Sequence, residues 1–229
     1  MGGGSVTSVL KERAQTHRVV ISEKAAATLH HDKDRMSAWG IEVVREEEAQ
    51  KMVTTGQYNH FVTEDIDAAR LEKVVNGLGV PFEFDVVGIC AQDHGVPPKG
   101  VSHLDYRHRL FTAVLDQDPH AHALLYEKDA VPSTMNRLRS IAESAGRLPA
   151  KEIFVMDSGM AAIQGASLDS LAMERECMAV LDVATSHTLG AVLANNEIAG
   201  FFEYHTSEIN GARVCLLYTS DAADDYLTV

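Results

Sequence analysis

The side chains best suited to chemistry sit in four short polar segments: Gln92-Asp93-His94-Gly95, Asp157-Ser158-Gly159, Thr185-Ser186-His187-Thr188, and the pair Glu203 and His205. Asp93 and Asp157 could hold a magnesium ion through waters or act as a base on water or a hydroxyl, the work that carboxylates do in phosphoryl transfer. Helix and turn capping is the other role open to them. His94 and His187 could exchange protons, donate to phosphate oxygens, or serve as structural hydrogen-bonding residues. The hydroxyls and amides of Thr185 to Thr188 suit an anion such as phosphate held at one end of a sheet, although an ordinary β-hairpin would use the same residues. Glu203 and His205 alternate onto one strand face, where a metal pair, an orienting hydrogen bond and a solvated surface are all open.

These segments follow apolar runs that must position them. Phe84 to Ala91 and Ile153 to Met156 read as buried strands. Cys177 to Ala184, Leu189 to Leu193 and Ile198 to Tyr204 read as a three-stranded meander, with Asn195-Asn196 as its second turn. Upstream, Arg18 to Ile21 and Ile41 to Val44 are short strand candidates. Val6 to Gln15, Ala25 to Trp39 (ended by Gly40), Asp65 to Gly77, Asp105 to Leu115 and Pro132 to Ala145 read as helices. The acidic stretch from Glu46 to Tyr58 is ambiguous, and Gly159 to Gly165 is a small-residue segment. Strands alternating with helices predict an α/β fold with a largely parallel sheet, made mixed by the meander. In such sheets ligands bind outside the carboxyl ends of strands, so the segments after Ala91, Met156 and Val183 are expected to converge on one cleft. Gly146-Arg147-Leu148-Pro149 is the expected hinge between halves.

The chain has 229 residues and a net charge of −13. Its length suffices for one large domain or two small ones. The charge disfavours a general nucleic-acid or anionic-membrane binder, because those need clustered Lys and Arg. No stretch approaches the roughly 18 apolar residues of a membrane span, and the N-terminus lacks a signal-peptide pattern. A cytoplasmic protein with a small-molecule or nucleotide ligand is the expectation. Cys90, Cys177 and Cys215 lie far apart, which excludes the three closely spaced thiolates of a radical S-adenosylmethionine enzyme; no iron–sulfur cluster is expected. Walker, dinucleotide and zinc spacings are absent.

Both ends read as incomplete. Gly2-Gly3-Gly4-Ser5 resembles a turn entering a helix, which places the true start upstream, and the segment from Cys215 to Asp225 resembles the translated adapter sequence that ends many metagenomic reading frames.

Several motifs together carry a resemblance: Gln92-Asp93-His94-Gly95 with Pro98, Met156-Asp157-Ser158-Gly159 with Ala161-Ala162 and Gly165-Ala166, His187-Thr188-Leu189, and Gly200-Phe201-Phe202-Glu203-Tyr204-His205-Thr206. Over most of Met1 to about Val214 the chain resembles the bacterial and archaeal family labelled "putative pyruvate formate-lyase activating enzyme". That family is similar to the superfamily of actin, heat-shock chaperones and sugar kinases. The resemblance implies two ribonuclease-H-like halves with mixed sheets, binding ATP and magnesium between them. Residues 1–148 would be the remainder of the first half, 149–214 the start of the second, and 215–229 a non-native tail. It also implies a phosphate motif at Asp182, Thr185, Ser186, His187 and Thr188, in which Ala184 and Thr185 stand at small, glycine-like positions and leave less room for a phosphate. Asp93, His94 and Asp157 become the catalytic candidates, with Asp93 as base, and Asp93, Asp157, Glu203 and His205 the metal candidates. The first phosphate hairpin would precede Met1 and the adenosine site would follow Val214, so the chain by itself is expected to be inactive. ATP-dependent phosphoryl transfer or hydrolysis is the first expectation. A non-catalytic binding or regulatory module and a metal-dependent hydrolase are the alternatives.

Overall fold

The computed structural model describes residues 4–29, 33–56, 58–62 and 64–206. It is a mixed α/β structure whose strands fall into three separate sheets. The N-terminal sheet pairs β1 (Val19–Ser22) with β2 (Ile41–Val44) in parallel, Val19 opposite Ile41. Around it pack α1 (Gly4–Ala14), α2 (Glu23–Leu29) and α3 (Lys33–Ala38), and Ala26, Met36 and Ile41 form a small core of their own. The expected helix from Ala25 to Trp39 is thus described as two, with residues 30–32 outside the described set. The ambiguous acidic stretch forms α4 (Glu46–Thr54), its three glutamates lying in the first turn where the helix dipole favours negative charge.

The central sheet has the order β3-β5-β4. β3 (Phe84–Ala91) runs parallel to β5 (Ala150–Asp157), from Phe84 opposite Ala150 to Ala91 opposite Asp157. β4 (Leu125–Glu127), absent from the sequence expectation, lies antiparallel on the other edge of β5 after the 3-10 helix Ala121–Leu124. Between β2 and β3, α5 (Ala68–Gly77) is capped by the Asp67 side chain, which accepts from the Arg70 amide at 3.0 Å. Next come α6 (His103–Leu115), capped by Ser102, and α7 (Asn136–Ala145). α7 starts four residues later than expected, because Pro132 to Met135 form a turn closed by the Met135 amide on the Pro132 carbonyl.

α8 (Ser158–Ser167) springs directly from β5, capped by Asp157, and α9 (Ser170–Met173) follows. The meander β6 (Cys177–Val183), β7 (His187–Ala194) and β8 (Glu197–His205) is antiparallel throughout, and Asn195 and Asn196 take φ of 51° and 67° in the expected turn. It does not extend the parallel sheet, as the sequence had suggested, but forms a sheet of its own. One core joins the two, running from Phe111 and Leu138 through Val155 and Met160 to Leu189, Leu193 and Ile198. At the expected boundary between halves, Leu148 packs in a smaller cluster with Ala145 and Ile153, and Ala150 opens β5. The segment 215–229 lies outside the described residues. No helix among the described residues is long and apolar enough to cross a membrane.

Candidate functional site

The carboxyl ends of β3, β5 and β6 come together around a cleft of about 270 Å³. Gln92 enters it from the end of β3, Ser158 and Gly159 from the start of α8, and Asp182, Ala184, Thr185, Ser186 and His187 from β6 and its turn; Arg107, Leu189 and Glu203 complete the wall. The turn is closed by the Ala184 amide on the His187 carbonyl at 3.1 Å. It is tied to the end of β8 by the Thr206 amide on the Ser186 carbonyl at 2.9 Å and the Thr206 hydroxyl on the Ala184 carbonyl at 2.7 Å.

At the centre stands Arg107, which the sequence reading missed. Its side chain is 1% exposed, and its guanidinium meets an acceptor from each of three segments. Nη1 and Nη2 both bond the Asp157 carboxylate, Nη2 at 2.8 Å. Nε donates to Glu203 at 2.6 Å, and Nη1 also donates to the Asp93 carbonyl at 2.7 Å. The planar fork makes this geometry possible, and a point charge could not match it. Burial opposes the charge on Arg107, but Asp157 and Glu203 outweigh it and raise the pKa above the usual value. The network continues outward: Gln92 donates to the other Glu203 oxygen at 2.9 Å, Arg137 donates to the Gln92 carbonyl at 3.1 Å, and Arg137 pairs with Asp65 at 2.9 Å. That pair, through its hydrogen bond first, holds the Asp65 carboxyl below the ordinary range. The sequence did carry a signal for Arg107: it precedes Phe111 and Leu115 at spacings of four, and all three are buried on one stripe of α6.

The expected catalytic and metal residues are placed as follows. The Asp93 side chain faces backbone rather than the cleft: one oxygen accepts from the Gly95 amide at 2.8 Å and the other from the Leu138 amide at 2.9 Å. It caps α7, whose own N-cap, Met135, has no side-chain acceptor. Gly95 turns the chain at φ +63°, and a Cβ there would lie 2.8 Å from the Thr134 carbonyl. Burial raises the Asp93 pKa, with the amide hydrogen bonds opposing. Asp157 is likewise filled, by the Gly159 amide at 2.9 Å, the Met160 amide at 3.3 Å, the Asp93 amide at 3.3 Å and Arg107. Asp157 and Glu203 thus both grip the same guanidinium, and with His205 exposed and Asp93 engaged elsewhere the four do not gather as the expected metal set. Among the described residues, the carboxylate and imidazole atoms close enough to hold a metal are those of Asp118, His120 and His122.

The cleft does gather Asp182, Thr185, Ser186 and His187. Thr188 points elsewhere: it is fully buried and its hydroxyl bonds that of Thr206 at 3.1 Å. His94 and His187 are neighbours, their ring centroids 5.2 Å apart, and His205 lies 4.6 Å from His187 and His103 6.0 Å from His94. His94 Nδ1 and His187 Nε2 are buried without a hydrogen-bond partner. Burial, reinforced by the Arg107 charge, lowers the His94 pKa to about 3, and burial lowers that of His187. Both rings are therefore held neutral, able to donate or accept at neutral pH.

No curated protein and no solved structure gives a significant match to the chain. The chain belongs to the family described as "Putative pyruvate format-lyase activating enzyme (DUF1786)", whose model matches residues 1–220.

Proposed function

We propose that the cleft at the ends of β3, β5 and β6 binds a phosphate-bearing ligand, a nucleotide with its magnesium ion in the reading that the resemblance to actin-like ATPases implies. One observation carries this: three strand ends and a hydroxyl-rich turn, far apart in sequence, line a single cleft. Ser158, Thr185 and Ser186 offer hydroxyls to phosphate oxygens, and neutral His187 offers a further polar group. Of the two carboxylates on the wall, Glu203 is taken by Arg107 and Gln92, which leaves Asp182 to hold the cation through its waters. Magnesium would supply charge neutralisation, needed in a protein with a net charge of −13.

A second reading, binding without turnover, is favoured by the saturation of Asp93 and Asp157 with amides and Arg107. A base must be free to reach the proton it takes, and neither carboxylate is. The family's description does not extend to this reading: radical S-adenosylmethionine chemistry needs three closely spaced thiolates, and in this chain Cys90 lies on β3 and Cys177 on β6.

Calorimetric titration with ATP and magnesium, paired with an assay of phosphate release, tests both readings. Saturable heat that weakens in Asp182→Ala is expected. Absence of heat contradicts nucleotide binding, whereas phosphate release abolished by a folded Asp93→Asn variant contradicts the second reading.

A further inference from the structure

A second cluster of side chains lies away from the cleft, on the loop after α6 and the 3-10 helix that it enters. Asp118, His120 and His122 alternate along it, and one ligand atom from each lies within 4.8 Å of the other two. The imidazoles of His120 and His122 sit 5.1 Å apart at 35° to each other.

The backbone beneath them is fixed on every side. The Asp118 amide donates to the Val114 carbonyl at 3.1 Å, the Ala123 amide to His120 at 2.9 Å, and the Ile198 amide of β8 to Pro119 at 2.6 Å. Ala121 and Leu124 are buried in the core while Asp118 and His122 are exposed and His120 is partly so. Three potential ligands are therefore presented to solvent from a loop that cannot easily spread them. At present a hydrogen bond of 2.6 Å joins His120 Nδ1 to Asp118 Oδ1, and a cation could take the place of the proton in it.

We propose that Asp118, His120 and His122 form a site for a divalent first-row transition-metal ion. Two imidazoles and one carboxylate suit zinc, cobalt, nickel or copper, whereas magnesium and calcium prefer sets made of oxygen alone. Three protein ligands leave coordination positions open to water. The site is separate from the cleft: it adjoins Ile198 near the start of β8, and Glu203, the cleft residue on that strand, lies five residues on, roughly 17 Å at strand rise. Its occupation does not depend on the nucleotide reading.

Zinc titration of untagged protein by calorimetry, with cobalt absorption as the optical check, reads the site directly. Wild type should take up one zinc per chain there, and His122→Ala, an exposed change that leaves the core intact, should weaken that uptake at least ~10-fold. His187→Ala, in the cleft, should leave it unchanged. No zinc uptake by the wild type, or uptake that survives His122→Ala but is lost in His187→Ala, overturns the proposal.

Discussion

Arg107 anchors the cleft at the scale of a single residue. Asp157, Glu203 and the Asp93 carbonyl all depend on it, so Arg107→Ala leaves two buried carboxylates unpaired. The expected loss is ~3–5 kcal/mol, measured by urea unfolding; Arg107→Lys should recover only part, since one ammonium cannot bond both Asp157 oxygens and Glu203 together. A loss below ~1 kcal/mol would show that the clamp contributes no more than a surface ion pair. His94 makes a different prediction. The folded protein keeps it neutral down to about pH 3, while the unfolded chain takes up a proton near pH 6.5. Between those values the unfolded state binds more protons, so stability falls as pH falls, with a limiting slope of ~1.4 kcal/mol per pH unit. Unfolding free energies should fall from pH 6.5 to 5, the slope steepening toward this limit at the lower end, and should fall less in His94→Gln; an identical fall in the variant would assign it to other groups.

At the scale of elements, what matters is how one segment finishes another. Asp93, at the end of β3, caps α7, and the two residues bonded are 45 apart in sequence. Asp93→Ala should cost ~1–2 kcal/mol through the lost cap, and Asp93→Asn, which keeps an acceptor oxygen, should cost less. Equal losses would point to the charge rather than the cap. Strands β3, β6, β7 and β8 were legible from apolar runs and from Asn195-Asn196, because periodicity and turn chemistry are local. The segments after β3, β5 and β6 do line one cleft, although the rule that suggested it holds for strands of one parallel sheet and β6 belongs to a sheet of its own. Which carboxylates would be free was not legible, because the partners of Asp93 and Asp157 are amides and a guanidinium brought in from other elements. Arg107 shares a stripe with Phe111 and Leu115, but a charged residue within a helix ordinarily reads as solvated. β4, three residues long, is too short for any period to reveal.

Across the whole molecule, the central sheet and the meander act as one support. Their shared core from Phe111 to Ile198 holds the end of β5 and the β6–β7 turn on either side of the cleft, so Ser158 and Gly159 face Thr185 and Ser186 without a long loop between them. On the proposed reading, the hydroxyls, Asp182 and His187 at that junction receive a phosphate carried with its cation. The most direct measurement is an amide-resolved nuclear magnetic resonance titration of the protein with magnesium ATP. Saturable shifts are expected at Gly159 together with Thr185, Ser186 and His187, at one common affinity, and they should be lost in Asp182→Ala. Shifts confined to other surfaces, or none at these four amides at millimolar nucleotide, would contradict the proposed reading.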